Sequence, residues 1–172
     1  MPWDDTLYNL SDHVATALTP RAEAAAVASA IRGLGSATRY RILFIPRRRA
    51  RGDGSGAWLV DVTAGLSIPP NIELMFAPGA ALLPVTLGAV TDSATLDIAG
   101  PLTAPSSRIF GTAVTAPSQR IDVTDTVATL TRVRFTGDAL DRVHPEWWGA
   151  DGHDAAVDTA ALAAAIRAAH AD

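Results

Sequence analysis

Cysteine is absent from the 172-residue chain, and so is lysine: all 14 basic residues are arginine. The first absence removes any disulfide framework and any thiolate metal site. The second removes Schiff-base chemistry at a lysine amine. Together with abundant alanine, it reflects the coding bias of a GC-rich genome rather than a mechanism. Long apolar runs are missing too. None approaches the ~18 residues of a membrane span, and the opening Pro2-Trp3-Asp4-Asp5 is unlike a signal peptide. The expectation is a chain made and used without crossing a membrane. A formal net charge of -4 argues against general nucleic-acid binding. No cofactor is expected.

What is present fits a folded protein. Hydrophobic residues make up 48% of the chain and the mean hydropathy is +0.18, enough for one core with a small appendage at most. Residues 1–18 carry Trp3, Leu7, Tyr8, Leu10, Val14 and Leu18 among acids and small polar residues. The steps from Leu7 to Leu10, Val14 and Leu18 allow a short amphipathic helix. Such a segment either packs on its own domain or anchors the chain to a larger particle.

Thr19-Pro20 opens a helix, with Thr19 as cap, Pro20 at the first helical position and Glu23 in the first turn, where the helix dipole favours an acid. Ala24, Val27, Ile31 and Leu34 line one face, and Gly33 and Gly35 offer a left-handed stop. Tyr40 to Pro46 then reads as a strand with Tyr40, Ile42 and Phe44 on one side. Arg47, Arg48, Arg49 and Arg51 lie in or beside a Gly-rich stretch. They read first as a solvated turn and second as a contact for an acidic partner or a polyanionic sugar.

From Ala57 to Phe135 short extended runs alternate with turns. Ile72–Phe76, Leu82–Val85 and Thr95–Ile98 are among the runs; Pro78-Gly79 and Gly100-Pro101 are among the turns. The absence of helices between the strands excludes an ordinary α/β fold. Pattern alone leaves a sandwich and a solenoid both open. The strand-region acids Asp61, Glu73, Asp92, Asp97, Asp122 and Asp125 form no local pair on one strand face. Acid–base cleavage of a glycosidic bond needs two carboxylates ~5–10 Å apart, so catalysis is not expected. His144, Asp151, His153 and Asp154 are dense in donors but match no calcium or zinc spacing.

The last stretch, His144 to His170, joins Pro145-Glu146-Trp147-Trp148-Gly149 to a polar turn and an alanine-rich helix. Asp158 is placed to cap that helix. Leu162, Ala165, Ile166 and Ala169 form its apolar face. Adjacent tryptophans read as a junction, one ring in the core and the other at an interface, before they read as a sugar platform.

This order of motifs resembles the opening of pectate-lyase-superfamily tailspikes: Pro-Glu-Trp-Trp-Gly-Ala, a Gly/Asp turn (here Gly152-His153-Asp154) and an alanine-rich cap helix. The Ile72–Ala80 rung and the Gly100–Gly111 stretch are similar to the rungs that precede it. The resemblance implies a mainly β chain, a short right-handed β-helix stack with an N-terminal cap helix and a C-terminal helix, divided as an anchoring segment 1–18, a solenoid 19–143 and a terminal loop and helix 144–172. The long catalytic β-helix of that family is not expected in this chain. The expected role is therefore structural: a spike or tail-fibre base or adaptor in a phage or phage-like particle such as a gene transfer agent, assembled in the bacterial cytoplasm. It would join other virion proteins, as a trimer by analogy. Trp3, Leu7, Tyr8, Pro145, Glu146, Trp147, Trp148, Leu162 and Ile166 are the candidate partner or self-association residues. A non-catalytic module binding a cell-surface polysaccharide is the alternative, and a polysaccharide depolymerase, its carboxylates paired across neighbouring rungs, is the third reading.

Overall fold

A computed structural model of the chain describes residues 6–15, 19–36, 38–48, 57–87, 93–110, 129–130, 132–137, 139–140 and 142–169. The first element is not the amphipathic helix that the spacing allows. Leu7–Asn9 is a strand, β1, followed by a 3-10 turn over Leu10–Asp12 in which the Asn9 side chain accepts the Ser11 N–H. A helix this short is unstable alone. Pairing with β2 (Arg41–Ile45) satisfies the same amides instead.

Helix α1 spans Pro20–Gly35, with Thr19 Oγ1 accepting the Ala22 N–H at 3.3 Å. It buries the expected Ala24, Val27, Ile31 and Leu34, together with Ala28 and Glu23. The glycine stop does not form. The helix runs through both glycines and ends at Ser36 in a right-handed conformation, where the Ser36 hydroxyl donates to the Gly33 carbonyl at 2.7 Å. That bond serves one of the terminal carbonyls a left-handed glycine turn would otherwise satisfy.

The strands that follow are β3 (Ala57–Asp61), β4 (Leu66–Ile68), β5 (Ile72–Phe76), β6 (Ala81–Thr86), β7 (Thr95–Ile98), β8 (Leu102–Thr103), β9 (Thr129–Leu130) and β10 (Arg132–Phe135). Successive strands do not pair with one another. The first sheet has the order β1-β2-β5-β8, the second β3-β6-β9 and the third β10-β7-β4. From β2 to β10 the chain visits the first, second and third sheets in turn, three times over. Every pairing is parallel except β6 with β9. With helix α2 (Ala155–Ala169) the molecule is mixed α/β, built of parallel sheets and two helices, and no sheet closes into a barrel among the described residues. The helices, at 16 and 15 residues, are longer than a mainly β reading anticipates.

Parallel register stacks like on like. Leu43, Leu74 and Leu102 form one inward ladder, Ile68, Ile98 and Phe135 another, and Trp58 lies over Leu82. Strand alternation decides which residues reach the interior. Tyr40, Ile42 and Phe44 do share a face, but it is the outer one; Leu43 and Ile45 are buried. The turn at Gly100 rests directly on the turn below it. A Cβ there would lie 1.9 Å from the Ile72 carbonyl oxygen and 2.8 Å from that of Pro69. Only glycine permits so close an approach.

One core takes Leu10 and Val14 from the N-terminal segment, the inward ladders from the middle, and Trp147, Trp148, Ala161, Ala165 and Ala168 from the C-terminal segment. The described parts of 1–18, 19–143 and 144–172 thus pack as one unit. In the second sheet, β3 and β6 are buried on both faces. Ala57, Leu59, Ala81, Leu83 and Val85 make a smaller cluster on its outer side with Ala24 of α1.

Candidate docking surfaces at the two ends of the sheets

At the C-terminal end, Pro145–Trp148 forms a 3-10 turn closed by Gly149, whose φ of 99° suits glycine. The Trp147 carbonyl accepts the N–H groups of Ile109 (3.0 Å) and Phe110 (2.8 Å), while the Ile109 carbonyl accepts from Leu82. The turn is thereby tied to the second sheet. Phe76, Phe110 and Phe135 lie beneath it and need cover. Trp148 supplies it against Phe110 (ring centroids 5.4 Å apart) and Phe135 (6.3 Å), and Trp147 packs on Phe135 (6.1 Å). Trp147 and Trp148 are only 5% and 2% exposed. Both rings face inward, where the sequence divides them between core and interface. Pro145 is half-buried and Glu146 exposed.

Helix α2 is capped by Asp154, whose Oδ1 accepts the N–H groups of Ala156 (2.9 Å) and Val157 (3.3 Å). Asp158, the expected cap, reaches back instead and accepts from Asp151 (2.9 Å) and Gly152 (3.2 Å), fixing the loop that feeds the helix. No group of three potential metal ligands forms among the described residues. The apolar face read from the sequence splits. Ala161, Ala165 and Ala168 turn inward against β10 and the 3-10 turn, while Leu162 and Ile166 are 50% and 52% exposed. Small side chains let the helix sit close over the aromatic layer, and the larger ones are left outside.

The chain matches no family model, no curated protein and no solved structure.

At the opposite end, α1 packs on β3 and β4. Glu23 is fully buried: its Oε1 accepts the Leu59 N–H at 3.1 Å, and its Oε2 pairs with Arg48 Nε at 2.5 Å. The Arg48 guanidinium also lies 5.7 Å from the Trp58 ring centroid. Arg48 is therefore an internal strut, not part of a solvated turn or a glycan contact. A buried carboxylate keeps its charge only with such a partner. The sequence signal was an acid beside Ala24 on the apolar face of α1, which a dipole argument alone passes over. Arg47 is exposed; Arg49, Arg51 and Trp3 lie outside the described residues. Leu7 is exposed on β1, and Tyr8 is half-buried, stacked on His13 at 3.7 Å, with burial raising its hydroxyl pKa. The outer face of α1 presents Arg21, Ala22, Ala25, Ser29 and Arg32.

Acids on the strands fall on three different sheets: Asp61 on the second, Glu73 on the first and Asp97 on the third. Each holds a neighbour. Asp61 accepts from Thr63, Asp97 forms a two-bond ion pair with Arg134 (2.7 and 2.9 Å), and Glu73 accepts from Tyr40 and Thr103. Asp92, Asp122 and Asp125 lie outside the described residues. No helix among the described residues is long and apolar enough to cross a membrane.

The Tyr40 contact gives a titration test. Its hydroxyl donates to Glu73, and that bond, with lesser contributions from desolvation and the carboxylate charge, pushes the Tyr40 pKa from 10.0 up to about 12. The neutral phenol is the favoured form. Its contribution to stability is complete below pH 10 and lost as pH rises through about 12. In a Tyr8→Phe background, ultraviolet titration should show one phenol ionising near pH 12, and Glu73→Gln should return it towards 10. An unchanged transition in Glu73→Gln would show that the bond is not made in solution.

Proposed function

We propose that this chain is a structural connector, a spike or tail-fibre base in a phage or phage-like particle, whose body is a short β-helix with differently finished ends. The carrying observation is the strand order: each sheet gains one strand per circuit, in parallel register as stacked rungs do everywhere but at β9, which joins β6 antiparallel. Helices at both ends support it further, because such a stack needs its terminal edges covered. The α2 end keeps Leu162 and Ile166 outward, as a surface that receives a distal component would. Three-fold assembly belongs to the reading through the tailspike resemblance.

The N-terminal segment contributes Leu10 and Val14 to the core, so point substitutions test this reading better than truncations. Particles purified from the source bacterium should contain the chain. A Leu162→Glu variant should enter particles normally and lose the distal component. Recovery of the chain only in particle-free extract overturns the proposal.

The polysaccharide-binding reading rests on the outer face of the first sheet. There Tyr40, Phe44 and Met75 lie beside Glu73 and Thr103, joining aromatic surface to hydrogen-bonding groups. A glycan array probed with wild type and Tyr40→Ala decides it: binding that Tyr40→Ala abolishes favours this second reading over the connector.

A further inference from the structure

The two end helices are finished in opposite ways. α1 turns its large apolar side chains, Val27, Ile31 and Leu34, inward and leaves small side chains and arginines outside. α2 buries alanines and leaves Leu162 and Ile166 outside. A helix with apolar surface on both sides is one held between two layers. The third sheet fixes where the two helices lie: α1 packs on β4, one edge strand, and α2 on β10, the other. Their outer faces therefore sit at opposite ends of the stacking direction.

We propose that copies of this chain stack head to tail, the outer face of α2 in one copy seating on the outer face of α1 in the next. This rests on the connector reading and narrows the partner at the α2 end to a second copy. Shape supports the match. Leu162 and Ile166 stand one helical turn apart, and so do the exposed Ala25 and Ser29, whose short side chains let a second helix approach closely. Charge supports it independently. Exposed Asp151 and Asp154 stand at the N-terminal end of α2, with exposed Glu146 in the preceding turn; exposed Arg32 and Arg39 stand at and beyond the C-terminal end of α1. Antiparallel crossing of the helices brings these acids to these arginines. Arg167, at the other end of α2, falls towards Arg21, a like-charge approach. The attraction is concentrated where the acids are.

Because two different surfaces meet, the contact does not close on itself as a two-fold dimer does; it propagates as a row. A single helix pair makes a small interface of the transient class. Association should therefore grow with concentration and weaken in about 1 M salt, where the screening length falls to ~3 Å.

Sedimentation of the full chain tests this with two surface variants, Leu162→Glu to block the α2 face and Ser29→Arg to block the α1 face. Circular dichroism confirms that each keeps the wild-type fold. Wild type should rise in mass continuously above the 17.9 kDa of one chain as concentration increases. Each variant alone should remain a single chain. Mixed in equal amounts they should form a pair of twice that mass and nothing larger, since one intact α2 face meets one intact α1 face. Dimerisation of Ser29→Arg by itself would mean that α2 pairs with α2, and overturns stacking. Wild type remaining a single chain at every concentration also overturns it. If Leu162→Glu meanwhile strips the distal component from particles, the connector reading stands and only self-stacking falls.

Discussion

Replacing Glu23 by alanine is expected to lower the stability of the protein by about 3–5 kcal/mol, the usual loss when one member of a buried ion pair is removed. The Arg48 guanidinium and the Leu59 N–H both depend on this carboxylate, and with them the contact between α1 and the second sheet that they help to hold. Alanine takes the carboxylate away from the buried Arg48 guanidinium over Trp58, and removes the side-chain acceptor of the Leu59 N–H. The loss therefore exceeds the value of the pair itself. Converting Arg48 to methionine in the Glu23→Ala background should recover a good part of it, because a buried charge that has lost this carboxylate is then removed. Urea denaturation of the two single variants and the double variant measures each step. A loss below about 1 kcal/mol in Glu23→Ala is what an exposed pair gives, and would place this contact in water.

Trp148→Ala is expected to be as damaging, at about 3–5 kcal/mol, from the cavity left between Phe110 and Phe135. Trp148→Phe should retain much of the difference, since a smaller ring still fills part of the space. The distinction bears on function. A tryptophan serving as a sugar platform can be truncated with little effect on folding, whereas one roofing an aromatic layer cannot. Chemical denaturation is best followed by circular dichroism here, because Trp3, Trp58 and Trp147 continue to fluoresce. A Trp148→Ala protein as stable as wild type would return the pair to the surface.

Local chemistry made much of this fold legible. Thr19-Pro20 places the start of α1 because a hydroxyl acceptor and a fixed φ suit that position in any context. The Ile72–Phe76 strand follows from alternation alone, with Ile72, Leu74 and Phe76 buried. Where reading failed, a distant partner had decided. Leu7–Asn9 is a strand because β2 offers it an edge, and Asp158 accepts from the amides of Asp151 and Gly152 in the preceding loop while Asp154 takes the cap. Glu23 looked like a dipole residue because nothing in its own helix announces Arg48, 25 positions later.

Hydrophobic period, caps and turn residues act over a few positions, and these the chain declares by itself: a helix near its start, short strands between glycine and proline turns, an alanine-rich helix at its end. Sidedness it does not declare. Whether Ile42 or Leu43 turned inward, whether Trp147 and Trp148 roofed the core, and which flank of α2 was left bare depended on what lay one circuit of the chain away. The physical reason is that an apolar side chain gains from any surface that excludes water, so composition can require burial without naming the neighbour that provides it.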